Sequence, residues 1–132
     1  MPLIADYKVI SDPGFKLQLS GDTFHDFEFT LDNSADLSIP AILTFVVTVT
    51  PNAMISVLEV KINPAPDGSS PESYNYSSIH GGPTSYMLQE VIDKNLKKGS
   101  GLNGLNKARF RILPGMGALK ITDVVLHFHR NV

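Results

Sequence analysis

Cysteine and tryptophan are both absent from this chain of 132 residues. Without cysteine there is no thiolate nucleophile, no disulfide and no Cys-based zinc site, and the compartment stays open. Without tryptophan, tyrosine and histidine would have to supply every stacking platform for a flat ligand. An excess of positive charge is missing too. Eleven Lys and Arg stand against thirteen Asp and Glu, a net charge of -2, so no basic field exists to hold nucleic acid or an anionic membrane. Long hydrophobic runs are lacking. The longest, Ile39 to Val49, is broken by Pro40, Thr44 and Thr48 and is too short to cross a bilayer. The segment Met1 to Ile10 has no basic region followed by an apolar stretch and a small-residue cleavage site, so it reads as mature protein. A soluble protein is expected.

What remains is globular. Apolar residues make up 42% and charged residues 18%, which suits one folded domain spanning residues 1–132 and argues against extended disorder. Apolar positions recur mostly at a spacing of two, between clusters of Gly, Pro, Asn and Asp, and that is the period of half-buried strands. The expected strands are Leu3 to Ile10, Phe15 to Ser20, Phe24 to Leu31, Ala41 to Thr50, Met54 to Asn63, Lys107 to Leu113 and Ala118 to Arg130. In Phe24 to Leu31 the set His25, Phe27, Phe29 and Leu31 is the better core face. In the Ala41 run β-branched residues crowd both faces, which predicts a central strand covered on both sides. The last two strands, separated by a Gly-rich turn, read as antiparallel neighbours joined by a tight loop.

Two local features are sharper. In the final strand Leu119 and Ile121 are apolar at odd positions, whereas Val124, Leu126 and Phe128 are apolar at even ones. The inward face therefore switches near Thr122-Asp123, where a bulge would restore the register. Helix is scarce. Only Tyr86 to Leu96 has helical spacing, through Met87, Leu88, Val91, Ile92 and Leu96, and it reads equally as a strand entering a turn. Residues 64–86 form one long irregular stretch with four prolines, three glycines, six serines and no Lys or Arg, expected as a loop.

The order Ile42-Leu-Thr-Phe45, Val60-Lys-Ile-Asn63, a variable loop, Val91 through Gly99, Leu105-Asn-Lys-Ala-Arg-Phe-Arg-Ile112 and Leu119 through Leu126 resembles the galactose-binding-like jelly rolls over about residues 24–130. That family includes many carbohydrate-binding modules. The resemblance implies an all-β, single-domain antiparallel β-sandwich of jelly-roll type, with at most one short helix near 86–96. Its turn before the penultimate strand is stretched here into Gly99-Ser-Gly-Leu-Asn-Gly-Leu-Asn106. The resemblance also places Asp123 where several such modules hold a structural calcium between the terminal strands, with Asp6, Asp26 and Glu28 as contributors to the oxygen shell calcium needs. The competing reading of Asp123 is an aspartate bonding backbone N–H groups at the bulge.

Chemistry beyond this is sparse. His127 and His129 lie two apart on a strand, so their Cα atoms are about 6.6 Å apart on one face, close enough to converge on a metal if His25, His80 or Asp123 supplied a third ligand. The plainer reading leaves both facing solvent. The segment Tyr74 to Tyr86 holds three of the four tyrosines together with Asn75, His80 and several serines, the composition of an adaptable recognition surface. Its plainer reading is a disordered or merely packed loop. Gly99-Ser-Gly-Leu-Asn-Gly104 spells a dinucleotide fingerprint only loosely, and it precedes a strand instead of opening a helix. No nucleophile elbow is present.

The expectation is therefore a non-catalytic, lectin-like module that binds a carbohydrate or glycoconjugate through Tyr74, Asn75, Tyr76, His80 and Tyr86, gaining avidity as a homo-oligomer. The alternative is a structural or assembly subunit making protein-protein contacts. A metal-dependent enzyme using His127 and His129 is the minor reading.

Overall fold

The computed structural model describes residues 3–11, 14–18, 24–49, 54–65, 73–80, 85–113 and 118–131. Period-two alternation becomes ten strands: β1 (Leu3–Ser11), β2 (Phe15–Gln18), β3 (Phe24–Thr30), β4 (Ala35–Asp36), β5 (Ala41–Val49), β6 (Met54–Ile62), β7 (Ser73–His80), β8 (Tyr86–Ile92), β9 (Leu105–Leu113) and β10 (Ala118–Asn131). One sheet has six strands in the order β1-β10-β5-β8, with β2 and β4 also pairing β10. The other has four in the order β3-β9-β6-β7. Both β1 and β2 pair with β10, over different stretches of it, and so do β5 and β4. Counting each of these pairs as one broken strand gives eight strands in two four-wide layers. Their chain order, 1-8-3-6 over 2-7-4-5, is the double Greek key of a jelly roll.

The core lies between the layers. On β5 every odd residue from Ala41 to Val49 is buried. Phe45 of one sheet meets Phe110 of the other edge to face, 5.2 Å between centroids, and Phe15 and Phe27 close the cluster. Leu58, Val60 and Ile62 of β6, with Leu126 and Phe128 of β10, complete the apolar lining. On β3 the core face is the expected one, with Phe29 and Leu31 buried and Phe27 packed against them, while His25 stacks on Phe15 at 4.8 Å.

One open reading is decided and three expectations are corrected. Tyr86–Ile92 is a strand, and the one helical turn among the described residues is a 3-10 turn at Gly101–Gly104. Strand pairing along β5 decided against the helix. The irregular stretch 64–86 contains β7, which pairs with β6 from Lys61 to Met54. Serine and proline content marked a loop, but backbone pairing overrode that weak prior. Strands β9 and β10 are not neighbours, because they belong to opposite sheets. A turn signal shows that the chain reverses, not whether it reverses within a layer or between layers. Finally, β5 is central but the described residues cover it on one side only: its even residues Ile42, Thr44, Val46 and Thr48 are exposed or half-buried.

The bulge is where the phase change puts it. Thr122 pairs with Val46 and Val125 with Thr44, three steps on β10 against two on β5, and the β1 register slips at the same point. Asp123 takes up the extra residue at φ 54°, a left-handed conformation that aspartate tolerates and β-branched residues do not. Thermal unfolding is expected to show Asp123→Gly at or above wild-type stability and Asp123→Val lower by about 1–2 kcal/mol.

Candidate functional site

The outer faces of the two sheets differ sharply. On the four-stranded sheet, charge is paired across strands. Asp26 of β3 stands opposite Arg109 of β9 and accepts from its Nε and Nη2 at 2.7 and 2.9 Å, while the guanidinium lies 4.9 Å over the ring of Phe24. Next to it, Arg111 Nη2 lies 3.2 Å and Lys61 Nζ 3.8 Å from Glu59 Oε1. The Arg109 bonds hold the Asp26 carboxyl below its ordinary value against a smaller opposing effect of burial. A depressed folded-state value means that the pair's stabilisation is fully present above the unfolded value, about pH 3.9, and is lost as pH falls through the folded one. Between pH 5 and 2, wild type is therefore expected to lose about 1 kcal/mol more stability than Asp26→Asn, read from urea midpoints at each pH. Equal slopes would remove the pair from the acid response.

On the six-stranded sheet the strand register lines up a different set. Tyr7, His127, Ile42 and Val91 form one cross-strand row; Val9, Val125, Thr44 and Gln89 form the next; Thr122, Val46 and Met87 form the third. None of these eleven side chains carries a formal charge at neutral pH, histidine taken as neutral. Tyr7, Val91 and Met87 are 65%, 54% and 66% exposed, with Val9 and Ile42 also open. Charge appears at the ends of the face, with Asp36 across from His129 at one and Lys16 beside Lys120 at the other, and at the β10 bulge, where Asp123 is exposed between the second and third rows. Thr44 Oγ1 lies 3.2 Å from His127 Nε2 and fixes the imidazole against the sheet at the middle of this face.

The expected ligand residues fall elsewhere. Tyr74, Asn75, Tyr76 and His80 are consecutive or alternate positions of β7, and Tyr86 opens β8 in the other sheet. Tyr74 pairs with Val60 and Tyr76 with Leu58, both from the row that faces the core, and Asn75 pairs with Glu59. The side chains of these five residues lie outside the described ones. A cleft of about 90 Å³ lined by Leu37, Ile39, Ala41, Ile92 and Leu96 is below the roughly 300–1,000 Å³ of a small-molecule site.

Nor are the proposed metal ligands brought together. Among the described residues no group of three or more His, Asp or Glu could hold an ion. His127 is exposed on the outer face, His129 is half-buried, and His25 stacks on Phe15 by the other sheet. Asp123 is exposed at its bulge. Of the carboxylates expected beside it for calcium, Asp26 is engaged by Arg109, Asp6 by the Tyr7 backbone N–H and by Arg130 at 2.8 Å, and Glu28 is exposed on β3 of the other sheet.

Two polar assemblies were missed by sequence reasoning. Arg130 joins Asp6, Asp32 and Ser34, tying β1 and the turn before β4 to the end of β10. Asn106, nearly fully buried, accepts from Lys97 N at 2.8 Å and from Asn63 Nδ2 at 3.0 Å, and donates to Lys97 O and Gly104 O. Asn63, at φ 53°, also donates to Asn95 O and accepts from Lys107 N. Gly104 sits in the same turn, where a Cβ would fall 2.2 Å from Leu31 O. The asparagines of the stretched Gly99-to-Asn106 turn were visible as a signal, but their partner Asn63 is more than forty residues away.

No protein family model matches the sequence, and no curated protein matches it. Among solved structures, the chain is similar to one from the structure of infectious bursal disease virus, Gx strain, at 12% identity and a TM-score of 0.50, covering all of this chain and 38% of the viral one. A chain from the Gt strain of the same virus is similar at 13% identity and a TM-score of 0.49, covering 98% of this chain and 36% of that one. The chain thus spans well under half the length of these viral chains, and at such identity the likeness to the Gx-strain structure is one of fold: an antiparallel β-sandwich.

Proposed function

We propose that this protein is a non-enzymatic structural subunit that works by making protein-protein contacts through the outer face of its six-stranded sheet. The observation that carries this reading is the face itself, with its three cross-strand rows free of Asp, Glu, Lys and Arg. The β-branched pattern of β5 suits a strand buried on both sides, yet the described residues cover only one side. Contiguous exposed apolar surface of this kind marks interaction sites in folded proteins. Jelly rolls serve both viral capsids and lectins, so the architecture alone favours neither use, although the likeness to a chain from a virus structure is consonant with the first. Against the glycan reading, the tyrosine segment is a paired strand and not a free loop.

Sedimentation velocity from about 1 to 100 µM, set beside a glycan array, tests the reading. An ordered assembly without glycan binding is expected. A monomer with saturable glycan binding, abolished by Tyr74→Ala or Tyr76→Ala, would replace it with the lectin.

A further inference from the structure

Resting on that reading, we infer that the partner for this face is a second copy of the same chain, the two six-stranded sheets packing face to face about a two-fold axis near Ile42 and His127. Charge is the first ground. A surface meets its own copy at low cost only if like charges on it are few and kept apart; the three rows through His127, Val125 and Val46 contain no Asp, Glu, Lys or Arg, and the exposed Asp123 of the bulge between the last two rows is the one carboxylate the pairing must keep off the axis. The outer face of the other sheet carries Asp26, Glu28, Glu59, Arg109 and Arg111, so it has no such neutrality to offer.

Shape is the second ground. Sheets pack face to face at a fixed small angle because both twist with the same hand, and a copy of this sheet has the required twist by construction. The residues offered are mainly valine, isoleucine and threonine, stiff side chains that lose little rotamer entropy when covered.

Area is the third ground. Four strands at about 4.8 Å spacing give a width of about 19 Å, and the three uncharged rows with a charged rim row at either end, carrying Asp36 and Lys120, give a length of about 27 Å from His129 to Thr48. Each copy therefore contributes about 500 Å² and the pair about 1,000 Å², which reaches the lower bound for a specific interface.

Because the chain contains no cysteine, one introduced thiol is a unique reporter. Ile42→Cys near the axis is expected to cross-link to its own copy with a short bismaleimide, while Leu102→Cys, on the 3-10 turn away from the face, does not. In sedimentation the wild type is expected to be a dimer. Val91→Lys, at a position already exposed, weakens the dimer at least about a hundredfold while circular dichroism stays β-rich. Leu102→Lys removes the most exposed large apolar side chain among the described residues, at 83%, and leaves the dimer intact, which separates a specific face from general stickiness. Association that persists unchanged in Val91→Lys, with no Ile42→Cys cross-link, overturns the two-fold face and leaves the subunit reading standing. A wild type monomeric at every concentration overturns self-docking, and with saturable glycan binding it overturns the subunit reading as well.

Discussion

Phe110→Ala is expected to lower unfolding free energy by about 3–5 kcal/mol, the range for a fully buried aromatic replaced by alanine. Phe110 is completely buried on β9 and is the point where the two sheets meet, with Phe45 5.2 Å and Phe15 5.6 Å from it. Truncation removes both the transfer of the ring from water and its contacts with three other rings. The cavity opens between layers that are each braced by strand pairing, so neither sheet can collapse far to fill it. A loss of this size is a large fraction of the 5–15 kcal/mol typical of a domain. A urea titration reads the effect as a lower midpoint at an unchanged slope. A loss below about 1 kcal/mol would mean that the core is centred elsewhere.

Asn106→Leu is expected to cost about 2–4 kcal/mol, although it places an apolar side chain of similar size at a buried position. Four hydrogen bonds to the Asn106 amide disappear at once. The Lys97 N–H and one Asn63 N–H then lose a partner at a part-buried site, and each orphaned group carries its own desolvation penalty. The damage is local in origin. Amide exchange should speed first at Lys97 and along the turn to Gly104, before the sheets open. Asn106→Asp keeps the acceptor for Lys97 N but loses the donors, so it should fall between leucine and wild type. If Asn106→Leu equals wild type in stability, the asparagine cluster is decoration and not a clamp.

Much of the fold was legible because burial on one face of a strand writes itself as alternation. The strand Met54–Ile62 reads directly, since Leu58, Val60 and Ile62 are inward and Glu59 and Lys61 outward. The bulge was legible for the same reason, as a break in alternation between Ile121 and Val124. The candidate surface was half legible. The crowded β-branched residues of β5 announced that two faces want cover, but not that the described residues supply only one. The tyrosine-rich segment misled because composition describes which residues are present, while β7 exists through hydrogen bonds to β6.

The sequence by itself determined the all-β class, the phase of β3, β6 and β10 and the place near Thr122-Asp123 at which β10 must bulge. These follow from local rules, because side chains alternate whatever the strand pairs with. Only the tertiary structure decided that β9 and β10 part into opposite sheets, that Asn63 reaches Asn106, and that Tyr7, His127, Ile42 and Val91 share one open row. Each of those facts joins residues distant along the chain, and a period of two fixes which way a side chain points without naming the strand beside it.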